Sequence, residues 1–299
     1  MPLPFSLLPG LARAADVATR NDAISHCIVG ERDYVANFLA TLRNVWRLLG
    51  GDANLHNVIL PPAVEQLTGC DFALVLQTPR SFKALLVEAK WVRRVGYKGW
   101  DYRSAPSDEA IARYFAGAAG PPRISHFSDQ IARQAAWQFM HPQFAIAEMF
   151  LQLVTPAAAA PPYNNPTLFD EWGSTFIAHA RAASVINPPP VAGATQFPPT
   201  RLWHSAPAGG GLSVEVEALA APHSMHVQDL LNLLVACKIG RPIAGQWLAH
   251  LIALRGGEGH RNQLLRDPEA VLGELGLRHA LILRGAAPRA WKPRADEAG

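Results

Sequence analysis

Cysteine is scarce in this sequence. Cys27, Cys70 and Cys237 are the only three in 299 residues, and they lie far apart. An odd, dispersed set excludes a disulfide framework and a cysteine-rich zinc cage, and a reducing, cytoplasmic setting is expected. Charge is scarce too: Asp, Glu, Lys and Arg make up 17%, against about 25% in ordinary soluble domains. With a net charge of only +3, neither a histone-like cationic binder nor a charged disordered tail is indicated. No apolar run approaches the roughly 18 residues of a membrane-spanning helix, so no membrane partner is expected. The opening stretch MPLPFSLLPGLARAA lacks a basic lead, and Pro4 and Pro9 interrupt it. It is therefore not read as a secretory signal. Nucleotide-binding glycine loops are absent, so nothing points to an ATP-driven mechanism.

Apolar residues are plentiful, at 49%, enough for a sizeable core. The prolines divide the chain. Residues 1–154 are dense in periodic apolar pattern. Residues 155–211 hold Pro156, Pro161, Pro162, Pro166, Pro188 to Pro190, Pro198, Pro199 and Pro207, with alanine and glycine runs. They read as a Pro/Ala/Gly-rich excursion or linker, interrupted by a short helix near Leu168–Ala183. Residues 212–299 regain periodicity and read as a C-terminal α/β extension that can pack on the core. Its elements are a strand at Leu212–Leu219, helices at Val227–Lys238 and Pro242–Leu254, a helix opening at Asp267-Pro268, and a last strand at Leu277–Leu283.

The first region reads in more detail. Val35, Phe38, Leu39, Leu42, Val45, Trp46 and Leu49 recur at helical spacing over Glu31–Leu49, and Gly50-Gly51 ends that helix. A short strand at His56–Leu60 and two stronger ones at Cys70–Gln77 and Lys83–Val92 suggest a three-strand meander, with Thr78–Phe82 as the hairpin loop. A helix at Ser125–Phe139 follows. Phe144–Val154 is apolar enough for a strand or a buried helix. The order is α-β-β-β-α-β.

Three charged residues stand out in the apolar strands. A hairpin centred on Pro79-Arg80 sets Asp71 opposite Glu88 on the neighbouring strand, with Cβ atoms about 5 Å apart. Like charges so placed repel unless a cation lies between them. Alternation puts Lys90 on the same face as Glu88. Two carboxylates with backbone and water oxygens suit Mg²⁺, and a neighbouring lysine orients or deprotonates an attacking water or steadies charge on phosphorus. The bland alternative makes Asp71 a turn residue and Glu88–Lys90 a solvated ion pair on a strand face.

Gly69-Cys70-Asp71-Phe72 followed by Val87-Glu88-Ala89-Lys90 resembles the PD-(D/E)xK nuclease superfamily, over roughly residues 25–155. The resemblance implies a restriction-endonuclease-like fold, with a mixed sheet flanked by helices, and metal-dependent hydrolysis of phosphodiester bonds, usually in DNA. It implies Asp71 and Glu88 as metal ligands and Lys90 as the catalytic lysine, with Mg²⁺ as cofactor and Mn²⁺ able to substitute. Many members carry a glutamate on the preceding helix, which Glu31 matches as a third ligand. Some add a glutamine on the following helix, and Gln130 and Gln134 both qualify. Cys70 departs from the family's usual proline.

Arg93, Arg94, Lys98 and Arg103, interleaved with Trp91, Tyr97, Trp100 and Tyr102, follow the motif. Basic groups bind phosphates and aromatics stack on bases, so this reads as a substrate-contacting loop. Elsewhere, His223 and His226 lack cysteine partners for zinc. Glu215 and Glu217 have no lysine at the needed spacing, and His126 is an outside candidate. The leading expectation is a Mg²⁺-dependent nuclease acting on DNA. The rivals are an RNA-directed nuclease, and a catalytically silent nucleic-acid-binding or assembly component of a defence or toxin system, with a protein partner or homodimer formed through residues 212–299.

Overall fold

The computed structural model describes residues 2–25, 27–28, 30–58, 67–91, 126–151, 174–180, 225–254, 268–288 and 291. Helix α1 spans Leu8–Ile24, with proline in its first turn, where the missing N–H costs nothing. Helix α2 spans Glu31–Leu48 and buries Val35, Phe38, Leu39, Leu42 and Trp46, the stripe its periodicity predicts. It ends in a Schellman motif: the Gly50 and Gly51 N–H groups donate to the Arg47 and Trp46 carbonyls at 2.9 Å each. Strand β1 follows at once, at Asp52–Asn57. It begins earlier than the sequence pattern suggests because the glycine turn leads straight into pairing.

Strands β2 (Phe72–Gln77) and β3 (Ser81–Trp91) form an antiparallel hairpin in which Phe72 pairs with Val87 and Gln77 with Phe82. The loop is three residues, Thr78-Pro79-Arg80, not five. The Thr78 hydroxyl accepts the Ser81 N–H at 2.9 Å, so Ser81 and Phe82 already belong to the ladder. Helix α3 (His126–Met140) leads to β4 (Ala145–Leu151), which resolves the strand-or-helix ambiguity of that run in favour of a strand parallel to β3. Strand β5 (Thr175–Ala178) pairs antiparallel with β4. It lies within the span expected to be helical: cross-strand pairing with β4 overrides the local pattern. Helix α4 (Val227–Val235), the two-residue β6 (Ile243–Ala244), α5 (Trp247–Leu254), α6 (Pro268–Leu275) and β7 (His279–Arg284) complete the described elements. The helix expected from Pro242 begins only at Trp247, because Ile243 and Ala244 pair with the start of β3.

The described residues form a mixed α/β protein with a seven-stranded sheet of mixed orientation. Its order is β1-β7-β2-β3-β4-β5, with β6 on β3. The expected meander is corrected at one point. β7 lies between β1 and β2, parallel to β2 and antiparallel to β1. The stretch set apart by composition as a C-terminal extension thus supplies an interior strand. One face of the sheet, with Phe72, Leu74, Leu85, Val87, Met149 and Leu281, packs against α1, α2 and α4. The other, with Val75, Leu86, Ile146 and Ile282, packs against α3, α5 and α6 through Trp137, Trp247 and Leu272. A sheet covered on both faces explains why β2 and β3 are buried along nearly their whole length. Among the described residues no helix is long and apolar enough to cross a membrane.

Candidate functional site

The β2–β3 register carries the site. Phe72 opposite Val87 places Asp71, one residue before β2, across from Glu88. The Asp71 backbone is clamped on both sides. Its N–H donates to the Val87 carbonyl at 2.8 Å, and its carbonyl accepts from the Arg278 and His279 N–H groups at 2.8 and 3.3 Å. The entry of β7 therefore helps hold Asp71. Its side-chain Oδ2 accepts the Ala89 N–H at 2.9 Å.

Glu88 is 1% exposed and Lys90 4% exposed. The two form an ion pair through Lys90 Nζ and Glu88 Oε1. Gln130, from α3, completes a triangle: Lys90 Nζ donates to Gln130 Oε1 at 2.7 Å, and Gln130 Nε2 donates to Glu88 Oε1. The other carboxylate oxygen, Glu88 Oε2, is buried without a hydrogen-bond partner. The solvated surface ion pair of the bland alternative is therefore not what forms here.

Glu31 lies at the same end of the sheet. It opens α2 with its side chain half-buried, and its charge acts on both Glu88 and Lys90. Burial, the Asp71 charge and the Glu31 charge push the Glu88 carboxyl well above the usual glutamate range, against the opposing pull of Lys90. For Lys90, burial alone would lower the ammonium. The charges of Glu88, Glu31 and Asp71 outweigh burial and raise it above its ordinary value. The neighbouring acids thus favour the ammonium form of Lys90. The charges of Asp71, Glu88 and Glu31 all act on Lys90, and a hard divalent cation suits such a cluster, using one or two carboxylates and keeping several waters. Among the described residues no group of three or more His, Cys, Asp or Glu side chains converges as a ready-made metal cage.

Of the two glutamines, only Gln130 touches Glu88 and Lys90. Gln134, one turn on, donates instead to the Gly69 carbonyl at 2.8 Å and to Glu148 Oε2 at 3.3 Å. Glu148 and His179 were missed by sequence reading. Glu148 pairs with Glu88 across the parallel β3–β4 ladder and is wholly buried. Burial raises its carboxyl above the usual range despite the opposing pull of His179, Gln134 and Lys90. Its signal in sequence was a single acid in the otherwise apolar strand AIAEMFL. His179, which follows β5, had no such signal. The basic loop of Arg93, Arg94, Lys98, Trp100 and Arg103 lies outside the described residues, as do His223, Glu215 and Glu217.

No family model, curated protein or solved structure matches this chain.

Proposed function

We propose that this chain is a metal-dependent nuclease of restriction-endonuclease-like architecture, hydrolysing phosphodiester bonds, most readily in DNA. The observation that carries the reading is the pairing of Asp71 with Glu88 beside Lys90, with Glu88 Oε2 buried and without a hydrogen-bond partner. Such an oxygen next to two further acids costs free energy unless a cation or proton reaches it. Asp71 and Glu88, with Glu31, would hold Mg²⁺ or Mn²⁺, which when bound supplies charge neutralisation at phosphorus and a more acidic water. Lys90 contributes a fixed positive charge for the phosphorane-like oxygens, and Gln130 keeps that ammonium and Glu88 aligned. Arg93, Arg94, Lys98 and Arg103 follow Lys90 closely in sequence, and their basic side chains suit a phosphate-bearing substrate.

The test is cleavage of plasmid and linear DNA, with RNA in parallel, in Mg²⁺ or Mn²⁺, by wild type, Asp71→Ala and Lys90→Ala. Loss in both variants is expected, and activity unchanged by both would overturn the reading. The second reading, a catalytically silent nucleic-acid-binding or assembly component, is favoured by how deeply the Lys90–Glu88 pair is buried. A Mg²⁺ or Mn²⁺ titration followed by calorimetry separates the two, since the silent component takes up no metal.

A further inference from the structure

Beside the acid–lysine cluster lies a second buried polar group that does not touch Lys90 or Asp71 through any hydrogen bond described above. His179 Nδ1 is 3.0 Å from Gln134 Oε1 and 3.4 Å from Glu148 Oε1. An amide oxygen only accepts, so Nδ1 carries the hydrogen and donates. The other end of the same amide donates to the Gly69 carbonyl and to Glu148 Oε2. The amide cannot turn over: reversed, its oxygen would face two acceptors, the Gly69 carbonyl and Glu148 Oε2.

We propose that His179, acting through Gln134, is a positioning residue that holds the Gly69–Asp71 turn and so keeps Asp71 opposite Glu88. Its catalytic consequence rests on the nuclease reading; its structural consequence does not. Gly69 has φ +67°, a left-handed conformation, and passes so close to α3 that a Cβ there would lie 2.6 Å from the Gln130 carbonyl oxygen. The turn is therefore fitted against α3, and Gln134 is the side chain of α3 that bonds it. Gln130 grips Glu88 and Lys90 on β3, while Gln134 grips the approach to β2, so one helix sets the two halves of the site against each other. The far anchor is also fixed. Just before β5, the Ser174 N–H donates to Asp16 Oδ2 at 2.6 Å and its hydroxyl donates to Asp16 Oδ1 at 2.8 Å, which ties the lead into His179 to α1.

Cys70 reports on the turn directly. It lies between Gly69 and Asp71 with no exposure, whereas Cys27 is exposed. Its thiol reacts only when the turn opens, and Cys27 serves as the internal control. The experiment measures N-ethylmaleimide labelling of each cysteine in the folded full-length chain by peptide mass spectrometry, together with Mg²⁺-dependent DNA cleavage. It compares wild type, His179→Leu, His179→Gln and Gln134→Met. His179→Leu and Gln134→Met are expected to speed Cys70 labelling about tenfold, the loss of one buried hydrogen bond, with Cys27 unchanged. In both, kcat falls about tenfold or more while KM holds. His179→Gln, whose amide N–H can donate to Gln134, restores both readouts towards wild type. Cys70 labelling at the wild-type rate in both His179→Leu and Gln134→Met overturns the proposal, and the Gln134 variant keeps the test open if His179→Leu does not fold. A wild-type chain that cleaves nothing, but whose Cys70 still responds to these substitutions, overturns the nuclease reading and supports the positioning role.

Discussion

Asp71 and Glu88 face each other across the β2–β3 hairpin, and the Ala89 N–H fastens Asp71 Oδ2 at 2.9 Å. The geometry is an arrangement of like charges held in place by backbone. Asp71 cannot withdraw, because its own N–H and carbonyl are engaged by β3 and by the entry to β7. The repulsion is offset by Lys90, whose ammonium serves Glu88 directly.

Neutralising one acid should separate stability from metal response. Without metal, Asp71→Asn removes a like charge from beside Glu88, so its melting temperature should equal or exceed that of wild type. Mg²⁺ near 100 times its Kd should raise wild-type stability by about 2.7 kcal/mol and leave Asp71→Asn nearly unmoved. Differential scanning fluorimetry with and without Mg²⁺ reads both.

Removing the cation should do the opposite. Lys90→Met leaves Glu88 buried with its chief counter-charge gone, a change that costs about 3–5 kcal/mol when a buried pair is broken. Adding Glu88→Gln removes the stranded charge and should recover most of that loss. Urea unfolding of the two single variants and the double variant gives the coupling energy.

The raised Glu88 carboxyl predicts a pH dependence of definite sign. A carboxyl whose folded pKa lies above its unfolded value adds stability that is complete below the ordinary glutamate pKa of 4.5. That stability is lost as pH climbs towards the raised folded value, because the unfolded chain releases the proton first. Metal-free wild type should therefore lose stability relative to Glu88→Gln as pH rises from 4.5, by at most about 1.4 kcal/mol per pH unit. Urea unfolding of both proteins over the same pH series measures the difference, in which the contributions of shared histidines cancel.

Gly69 should tolerate no side chain. Its left-handed φ and the approach of the Gln130 carbonyl both oppose a Cβ. Gly69→Ala should destabilise by about 1–3 kcal/mol and weaken metal binding as Asp71 shifts. Chemical denaturation and a Mg²⁺ titration monitor the two effects.

β7 should be indispensable to the fold. Leu281 is fully buried in the middle of the sheet, and Leu281→Ala should cost about 2–5 kcal/mol. A chain truncated before residue 268 would expose the edges of β1 and β2 to each other's missing partner and should fail to give a cooperative unfolding transition by circular dichroism.

Local chemistry made part of this site legible. The hairpin register follows from a short loop and the alternation of apolar side chains, both readable over some twenty consecutive residues, so the pairing of Asp71 with Glu88 and the placement of Lys90 were accessible without coordinates. Glu31 was also accessible, because α2 is strongly periodic and Gly30 marks its start. The choice between Gln130 and Gln134 was not, because residues one helical turn apart share a face, and only the position of α3 over the sheet decides which reaches Lys90. Glu148 gave a weak signal as an acid in an apolar strand, and His179 gave none, since its partners lie 31 and 45 residues away in sequence.

The sequence by itself determined helix α2, the β2–β3 hairpin register and the types of group at one end of it, because those depend on spacing and on neighbours along the chain. The tertiary structure decided that β7 enters between β1 and β2, that the second half of the chain completes the sheet, and that a buried histidine braces the turn bearing Asp71. Each of those depends on contacts between segments far apart in sequence, chosen by how apolar faces and unpaired strand edges are buried together, which no local pattern specifies.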